Sequence, residues 1–228
     1  MISIIVPLYN EEKTILNLLA QLSRLSGSHE ILLADGGSAD RTMELARDAL
    51  PQNARLLTVS RGRAAQSNAA AREALGDTFF FLHADSQIAP DTLSHIEKAV
   101  SGGALWGCLK LRFDERRPST AACAYLSNLR VRLRGIAFGD QGIFITRDLF
   151  LKENGFPELP LMEDYEFSLR LGRQKIFPVQ LSCPIVTSAR RFREYGRLRT
   201  MFLMWRLRRL YRNGCDIERI AACYRQIR

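Results

Sequence analysis

The sequence lacks several features that would mark a membrane-spanning, exported or disulfide-bonded protein. Across 228 residues no apolar run approaches the ~18 residues of a transmembrane helix, and the opening MISIIVPLYNEE has neither the basic start nor the cleavage site of a signal peptide. The five cysteines are odd in number, and the three histidines have no zinc-ligand spacing with them. We therefore expect reduced thiols, no structural zinc and a cytoplasmic protein.

Two phosphate-binding signatures are also missing. No G-x-G-x-x-G follows the first predicted strand, and no G-x-x-x-x-G-K-[ST] occurs in the chain. The sequence therefore does not favour a dinucleotide-binding or P-loop protein. A phosphate ligand would have to be held by side chains, and arginine forks together with a carboxylate-bound metal suit that task.

The net charge of +9 is concentrated at the C-terminal end. Residues 190–228 hold 12 Arg and no Lys against three acidic residues, so the whole excess lies in this segment. Such a segment suits a phosphate, an anionic lipid surface or a nucleic acid, or it forms a solvated helical face with its own ion pairs.

From about Glu194 this basic segment is predicted to be a helix with two apolar faces. One face holds Leu203, Met204, Leu207, Leu210 and Tyr211, and the other holds Leu198, Phe202 and Trp205. Two faces favour packing on the body together with either a homodimer contact or a peripheral contact at the inner face of the membrane. A nucleic-acid partner is not expected.

Four times in the first hundred residues, a short apolar run is followed by residues with helical spacing. This alternation predicts an α/β fold with a mainly parallel sheet. In such sheets ligands bind beyond the carboxyl ends of the strands, so the polar residues at those ends are expected to line one crevice. These residues are Tyr9, Asn10, Asp35, Arg61, Arg63 and Asp85.

Each of these residues has a candidate ligand, and Asp35 and Tyr9 also have a structural interpretation. Arg61 and Arg63 suit a diphosphate, and Asp85 suits a divalent cation that bridges the same oxygens. Asp35 suits either a hydrogen bond to a nucleobase or a cap for the helix after Ser38. Tyr9 suits either stacking on a base or a place in the core.

Five motifs occur in the order and approximate spacing of family 2 glycosyltransferases with the GT-A fold: SIIVPLYNEE, ADGGSADRT, RGRAAQSNAA, FLHADS and LMEDYEF. The chain resembles this family over about residues 2–190, and RGRAAQSNAA with FLHADS resembles a compact bacterial subgroup labelled arsenosugar-biosynthesis glycosyltransferases. The resemblance implies a Rossmann-like, mostly parallel mixed sheet flanked by helices. It divides the chain into a nucleotide-binding half (1–100), an acceptor half (101–190) and an Arg-rich helical extension (191–228).

The resemblance assigns the donor side to named residues. Pro7 and Tyr9 would line the nucleobase pocket, Asp35 would hydrogen-bond the base, and Arg63 would lie near the nucleotide. Arg190 and Arg191 fall where related enzymes place basic residues near the diphosphate.

The metal motif departs from the family pattern. Asp85 would be the acid of the D-x-D motif that reaches the metal, but His83 stands in place of the first acid, and Gly36 replaces the second acid of the usual D-D-G-S. Histidine ligates Mn²⁺ readily and suits Mg²⁺ less well, so the identity of the divalent metal is open.

The acceptor side is expected in the second half of the chain. RGIAFGDQGIFITRDLF (134–150) places Asp140 and Gln141 among glycines, in a predicted loop close to the acceptor. In the family the pair corresponding to Glu163 and Asp164 contains the catalytic base, and Asp164 is the matching aspartate. On the residues alone, an acidic first helical turn stabilised by the helix dipole is an equally good explanation.

We therefore predict a hexosyltransferase-like enzyme that moves a sugar from a nucleotide-sugar donor to an acceptor hydroxyl, with inversion and with Mn²⁺ or Mg²⁺. Two alternatives stay open at this point. A nucleotidyltransferase commonly has a glycine-rich basic loop after its first strand, where this chain has YNEEKT. A non-catalytic protein would use the Arg-rich segment to dock on RNA or membrane, and RNA binding would weaken steeply with salt.

Overall fold

The first half of the chain forms parallel strands that alternate with helices, as the sequence predicts. A computed structural model describes residues 1–115, 117–189 and 196–225. Strand β1 pairs in parallel with β2 and β4, and β2 pairs in parallel with β3, so the strands end at one edge of the sheet. The elements are β1 (Ile2–Leu8), α1 (Ile15–Leu22), β2 (His29–Asp35), α2 (Thr42–Asp48), β3 (Ala54–Thr58), α3 (Arg63–Glu73) and β4 (Thr78–Phe81).

The second half completes a mixed sheet. Strand β7 is antiparallel to both β4 and β6, and the strand order is β3-β2-β1-β4-β7-β6-β8-β5. The elements are β5 (Gln87–Ile88), α4 (Thr92–Ser101), β6 (Trp106–Phe113), α5 (Pro118–Arg134), a 3₁₀ turn (Gly139–Gln141), β7 (Ile143–Thr146), α6 (Arg147–Lys152), α7 (Glu163–Arg173) and β8 (Val179–Thr187). The expected mixed α/β sheet is confirmed.

The run of three phenylalanines in β4 shows how the sheet divides the core. Because side chains alternate across a strand, Phe80 enters the layer beneath α1 and α4. Phe79 and Phe81 enter the opposite layer, where their rings contact Phe150 of α6 edge-on or tilted. The two buried layers hold β4 between them and fix the position of the residues that follow it.

Two further helices follow at the C-terminal end, α8 (Arg197–Arg212) and α9 (Ile217–Arg225). Leu207 and Ile220 are fully buried against Leu161 and Tyr165, at the start of α7. The predicted basic helix therefore packs against the second half of the chain, with one of its two expected apolar faces inward. None of the described helices combines the length and apolar composition needed to cross a bilayer.

A buried carboxylate ties the start of the sheet together and gives a stability prediction. Glu30 accepts hydrogen bonds from Ser3 Oγ at 2.6 Å and from Arg55 Nη2 at 3.0 Å. Desolvation acts to raise the pKa of Glu30, but these bonds and the Leu75 N–H outweigh it and lower the pKa below 4.5. The stabilisation is therefore complete above about pH 4.5 and is lost as the pH falls through the lowered pKa.

We expect Glu30→Gln to lower the free energy of unfolding by about 1–3 kcal/mol near pH 7, because the amide leaves buried donors without a charged partner. The difference from the wild type should shrink below about pH 4, as measured by urea unfolding at both pH values. Glu44→Gln, which breaks an exposed pair with Arg41, is the control and should leave stability nearly unchanged, because solvent screens this pair. An equal penalty for Glu30→Gln at both pH values would contradict the assignment.

Candidate active site

Asp35 at the end of β2 forms hydrogen bonds with the turn that follows it. Asp35 is 2% exposed; its Oδ2 accepts hydrogen bonds from the N–H groups of Gly37 at 2.9 Å and Ser38 at 3.0 Å, and its Oδ1 accepts one from Ser38 Oγ at 2.5 Å. Asp35 thus closes the turn that leads to α2. The role is structural, but it is not the helix cap that the sequence suggested, because α2 begins only at Thr42.

Tyr9 and Arg61 meet beside this turn. The guanidinium carbon of Arg61 lies 3.9 Å from the centre of the Tyr9 ring, a cation–π arrangement. The residue after β1 and the loop after β3 are therefore in contact, although β2 lies between these two strands in the sheet. Pro7 is half-buried and pairs with Ala34 of β2.

The end of β4 meets the start of α7 at Gly139. Asp164 Oδ2 accepts a hydrogen bond from Gly139 N at 2.7 Å, and Asp164 Oδ1 accepts one from Tyr165 N at 2.7 Å. A Cβ at position 139 would lie only 2.8 Å from His83 Nε2 and 3.5 Å from Asp164 Oδ2. The missing side chain at 139 therefore lets His83 and Asp164 approach the same stretch of backbone, and the two N–H groups fix the carboxylate's orientation.

Glu163 binds the arginine at the start of α3. Its Oε1 lies 2.9 Å from Arg63 Nε, and its side chain is 9% exposed. Burial raises the pKa of Glu163, the cation of Arg63 opposes this, and the charge of Asp164 adds to it. Met162, directly before it, has a left-handed φ of 68°, which non-glycine residues seldom adopt. Helix α7 therefore starts abruptly and brings both acids to the site in its first turn.

A cleft of about 760 Å³ brings several of these residues together. Its polar end is lined by Arg63, His83, Asp85, Asp140 and Asp164. Side chains from four distant parts of the chain thus share one space. A carboxylate held by backbone N–H groups, an imidazole and a guanidinium together suit proton removal, metal binding and anion binding.

The remaining predicted site residues do not line this cleft, although Glu163 contacts Arg63 at its polar end. The described lining of the cleft does not contain Pro7, Tyr9, Asn10, Asp35, Arg61, Gln141 or Glu163. The expectation of one crevice for all strand ends is therefore met by Arg63 and Asp85 and not by the residues after β1 and β2. The reason is that the contacts described above hold Asp35 in its own turn and Arg61 on Tyr9. Arg190 and Arg191 lie outside the described residues.

Gln141 supports the loop that carries Asp140. It is fully buried, and its Oε1 accepts a hydrogen bond from Arg130 Nη2 at 2.7 Å. An acceptor in the cleft would not reach this side chain, so the predicted acceptor contact is corrected to a supporting role. Asp140 remains at the polar end of the cleft.

Comparison with known proteins supplies the family. The sequence model of Glycosyl transferase family 2 matches residues 3–158, more than half of the chain. The chain belongs to this family. Curated relatives include the undecaprenyl-phosphate 4-deoxy-4-formamido-L-arabinose transferases of Pseudomonas paraeruginosa (32% identical, 64% of this chain, 46% of the relative) and Aeromonas hydrophila (27% identical, 64% and 48%). The chain spans about half the length of these relatives.

Solved structures share the fold. The mannosyltransferase PcManGT of Pyrobaculum calidifontis, in complex with GDP-Man and Mn²⁺, has a TM-score of 0.68 at 23% identity and covers 91% of this chain and 60% of its own. S. aureus TarS 1-349, in complex with UDP-GlcNAc, has a TM-score of 0.64 at 20% identity and covers 82% and 58%. The predicted GT-A fold is confirmed, and membership of family 2 speaks against the nucleotidyltransferase alternative.

The structure explains one departure of this family 2 chain from the expected motifs. Gln66 of α3 is buried and donates from Nε2 to the carbonyls of Leu8 at 2.6 Å and Ala34 at 2.7 Å. A Cβ at Gly36 would lie 3.0 Å from Gln66 Cδ and Nε2. An aspartate at position 36 would therefore crowd Gln66, so the glycine and the glutamine fit each other. Sequence reasoning missed Gln66, although a glutamine inside the alanine-rich RGRAAQSNAA was a signal.

Proposed function

We propose that the chain transfers a sugar from a nucleotide-sugar donor to an acceptor hydroxyl, with inversion at the anomeric carbon. The observation that carries this proposal is the position of Asp164, whose carboxylate is oriented by Gly139 N and Tyr165 N and shares a cleft with His83, Asp85 and Arg63. An isolated acid would not name a reaction. An acid beside a cation and two metal-ligand types suits the loss of a diphosphate leaving group.

In this mechanism Asp164 takes the proton of the acceptor hydroxyl as that oxygen attacks the anomeric carbon. The bond from that carbon to the donor diphosphate breaks on the opposite face, and its electron pair leaves with the diphosphate. Arg63, held by Glu163 at 2.9 Å, contributes positive charge near the departing group. No covalent enzyme intermediate is needed.

His83 and Asp85 would hold the divalent metal. Their donor set is one imidazole nitrogen and one carboxylate, and among the described residues no group of three or more His, Cys, Asp or Glu could hold a metal ion. An imidazole and a carboxylate are donors that suit a divalent metal such as Mn²⁺, and both side chains line the cleft beside Asp164. When bound, the metal would neutralise diphosphate charge. The Pyrobaculum structure is a complex with both GDP-Man and Mn²⁺, which is consistent with this proposal.

The acceptor is left open by the comparisons. The relatives' names include a lipid phosphate, whereas the resemblance of RGRAAQSNAA and FLHADS points to an arsenosugar-labelled subgroup. We keep both as substrate hypotheses, because this chain spans only about half of those relatives. A cytoplasmic location with peripheral membrane contact, and a homodimer through the C-terminal helices, also remain proposals.

A thermal-shift screen of sugar nucleotides with Mn²⁺ or Mg²⁺ tests the donor proposal. A ligand that binds only the native state at about 100 times its Kd adds about 2.7 kcal/mol, and each kcal/mol raises the Tm of a chain of this size by roughly 2–4 °C. We expect one nucleotide class to raise the Tm in this way with metal and less without it. Free sugars and inorganic phosphate are the controls. The proposal fails if no nucleotide diphosphate or sugar nucleotide shifts the Tm more than they do.

A further inference from the structure

Helix α5 contacts the sheet with one face and lines the cleft with another. One face packs on the sheet, where the side-chain amide of Asn128 bonds both the N–H and the carbonyl of Leu111 at 2.9 and 3.1 Å. A second face, with the spacing of three to four residues expected along one side of a helix, lines the cleft beyond Asp164. The α5 residues that line the cleft are Cys123, Leu126, Ser127, Leu129, Arg130, Leu133 and Arg134.

Helix α8 faces α5 across the same cleft. The α8 residues that line the cleft are Thr200, Met201, Leu203, Met204, Trp205, Arg208 and Arg212. Between the two helices, the ring of Phe138 and the side chain of Leu161 also line the space. We call this part of the cleft the α5–α8 groove. It runs on from the polar end that holds Asp164, and most of its walls are apolar.

The groove leaves large apolar side chains in contact with water. Leu126 is 53% exposed, Leu133 is 73% exposed and Trp205 is 46% exposed, although all three line the same cleft. Exposed apolar residues that cluster along one concave surface, unlike scattered ones, mark a binding surface. The acceptor of a sugar needs no such wall unless part of the acceptor is itself apolar.

Positive charge is concentrated beside these apolar residues. Arg130 and Arg208 lie on the ring of Phe138, with their guanidinium carbons 3.9 and 5.8 Å from its centre. Arg134 and Arg212 line the groove as well. Burial lowers the pKa of Arg208, and the neighbouring charge of Arg212 lowers it further, so an anion placed here would relieve repulsion between the cations. The charge complementarity favours an acidic ligand over a neutral one.

We propose that the α5–α8 groove binds the acyl or alkyl chain of an acidic, hydroxyl-bearing lipid, which is the acceptor of the proposed sugar transfer. The hydrocarbon chain of the lipid lies between Leu126, Leu133 and Trp205. Its anionic group lies near Arg208, and its hydroxyl reaches Asp164 at the polar end of the cleft. The lipid's role as the acceptor depends on the proposed function. The assignment of the groove to such a lipid rests on its own geometry.

Trp205 provides a direct test. The chain has two tryptophans, and Trp106 is fully buried, so a ligand-dependent change in emission reports on Trp205. The full chain is titrated with 1-lauroyl lysophosphatidylglycerol below its aggregation concentration, with glycerol phosphate as the head group alone and 1-lauroylglycerol as the uncharged chain. We expect a saturable blue shift with the charged lipid, weaker binding of 1-lauroylglycerol and no shift with glycerol phosphate. The shift should disappear in Trp205→Phe.

A matched pair of double variants locates the binding. Leu126→Glu with Leu133→Glu places acids in the groove at exposed positions, so folding should be retained. It should weaken lipid binding at least tenfold. Leu16→Glu with Leu151→Glu changes two exposed leucines of α1 and α6, at 47% and 46% exposure, and should leave binding unchanged.

Several results would overturn the assignment. These are the absence of saturable binding, equal loss in both double variants, competition by glycerol phosphate alone, or binding to anionic vesicles without binding to the dispersed lipid. A Trp205 shift that follows protein concentration instead of lipid would indicate a second copy of the chain in the groove. None of these readouts needs a donor. Failure of the donor screen with intact lipid binding would remove the proposed transfer and leave the lipid site standing.

Discussion

Replacement of Asp164 by asparagine is expected to lower sugar transfer by about 10²–10⁴-fold, the usual contribution of a positioned general base. The amide cannot take a proton from the acceptor hydroxyl, but its oxygen can still accept the hydrogen bond that Gly139 N donates at 2.7 Å. The contact with the loop at Gly139 should therefore survive, although the amide nitrogen cannot accept the second bond, from Tyr165 N. Initial rates at saturating donor should fall, while the Kd of the donor should stay close to the wild-type value.

Asp148→Asn is the control for this experiment, because Asp148 is an exposed acid in the first turn of another helix, α6. It should leave both rate and donor affinity unchanged. Wild-type turnover in Asp164→Asn would remove Asp164 as the base. Such a result would also indicate an acceptor oxygen that is already ionised, since a phosphate monoester with a second pKa near ~6 needs no base at pH 7.

Local sequence patterns were sufficient to predict the architecture and part of the site. The alternation of apolar runs with helical spacing gave the parallel half of the sheet, and the end of β4 placed His83 and Asp85 at a cleft. These features depend on short-range periodicity and on the rule that strand ends meet at one edge.

Contacts between distant parts of the chain could not be predicted in this way. The pairing of Arg63 with Glu163 joins residues one hundred positions apart, and nothing local in either segment indicates it. Gln141 has loop-like neighbours, yet its side chain is buried and accepts a hydrogen bond from Arg130. Burial of a polar loop residue is decided by the partner that tertiary packing supplies.

The α5–α8 groove could not be predicted from the sequence for the same reason. In α5 the buried face includes polar Thr120 and Asn128, whereas Leu126 and Leu133 are exposed, so the helix lacks a single apolar stripe from which its orientation could be read. The two apolar faces predicted for the C-terminal helix were a clearer signal. Leu207 lies inward in the structure, and Phe202 and Trp205 lie outward.

Replacement of Asp85 is expected to have a large effect on nucleotide binding. Asp85→Asn should weaken binding of the nucleotide diphosphate in the presence of Mn²⁺ by at least ~10–100-fold, since even residues that only orient metal ligands contribute that much. Isothermal titration with Mn²⁺ and with EDTA measures the effect. The variant in Mn²⁺ should match the wild type in EDTA, because both lack the bound metal. Equal wild-type affinity with and without Mn²⁺ would exclude the metal role of Asp85.

His83→Asp is the matched variant, because it restores the carboxylate that the D-x-D pattern has at this position. The wild type should prefer Mn²⁺, since imidazole suits Mn²⁺ better than Mg²⁺, and the variant should shift that preference toward Mg²⁺. The shorter aspartate also fits beside Gly139, where a Cβ would lie only 2.8 Å from His83 Nε2. The ratio of nucleotide affinities in Mn²⁺ and Mg²⁺ measures the shift. If the ratio is the same in both proteins, His83 is not a ligand, and its place beside Asp164 must serve the acceptor instead.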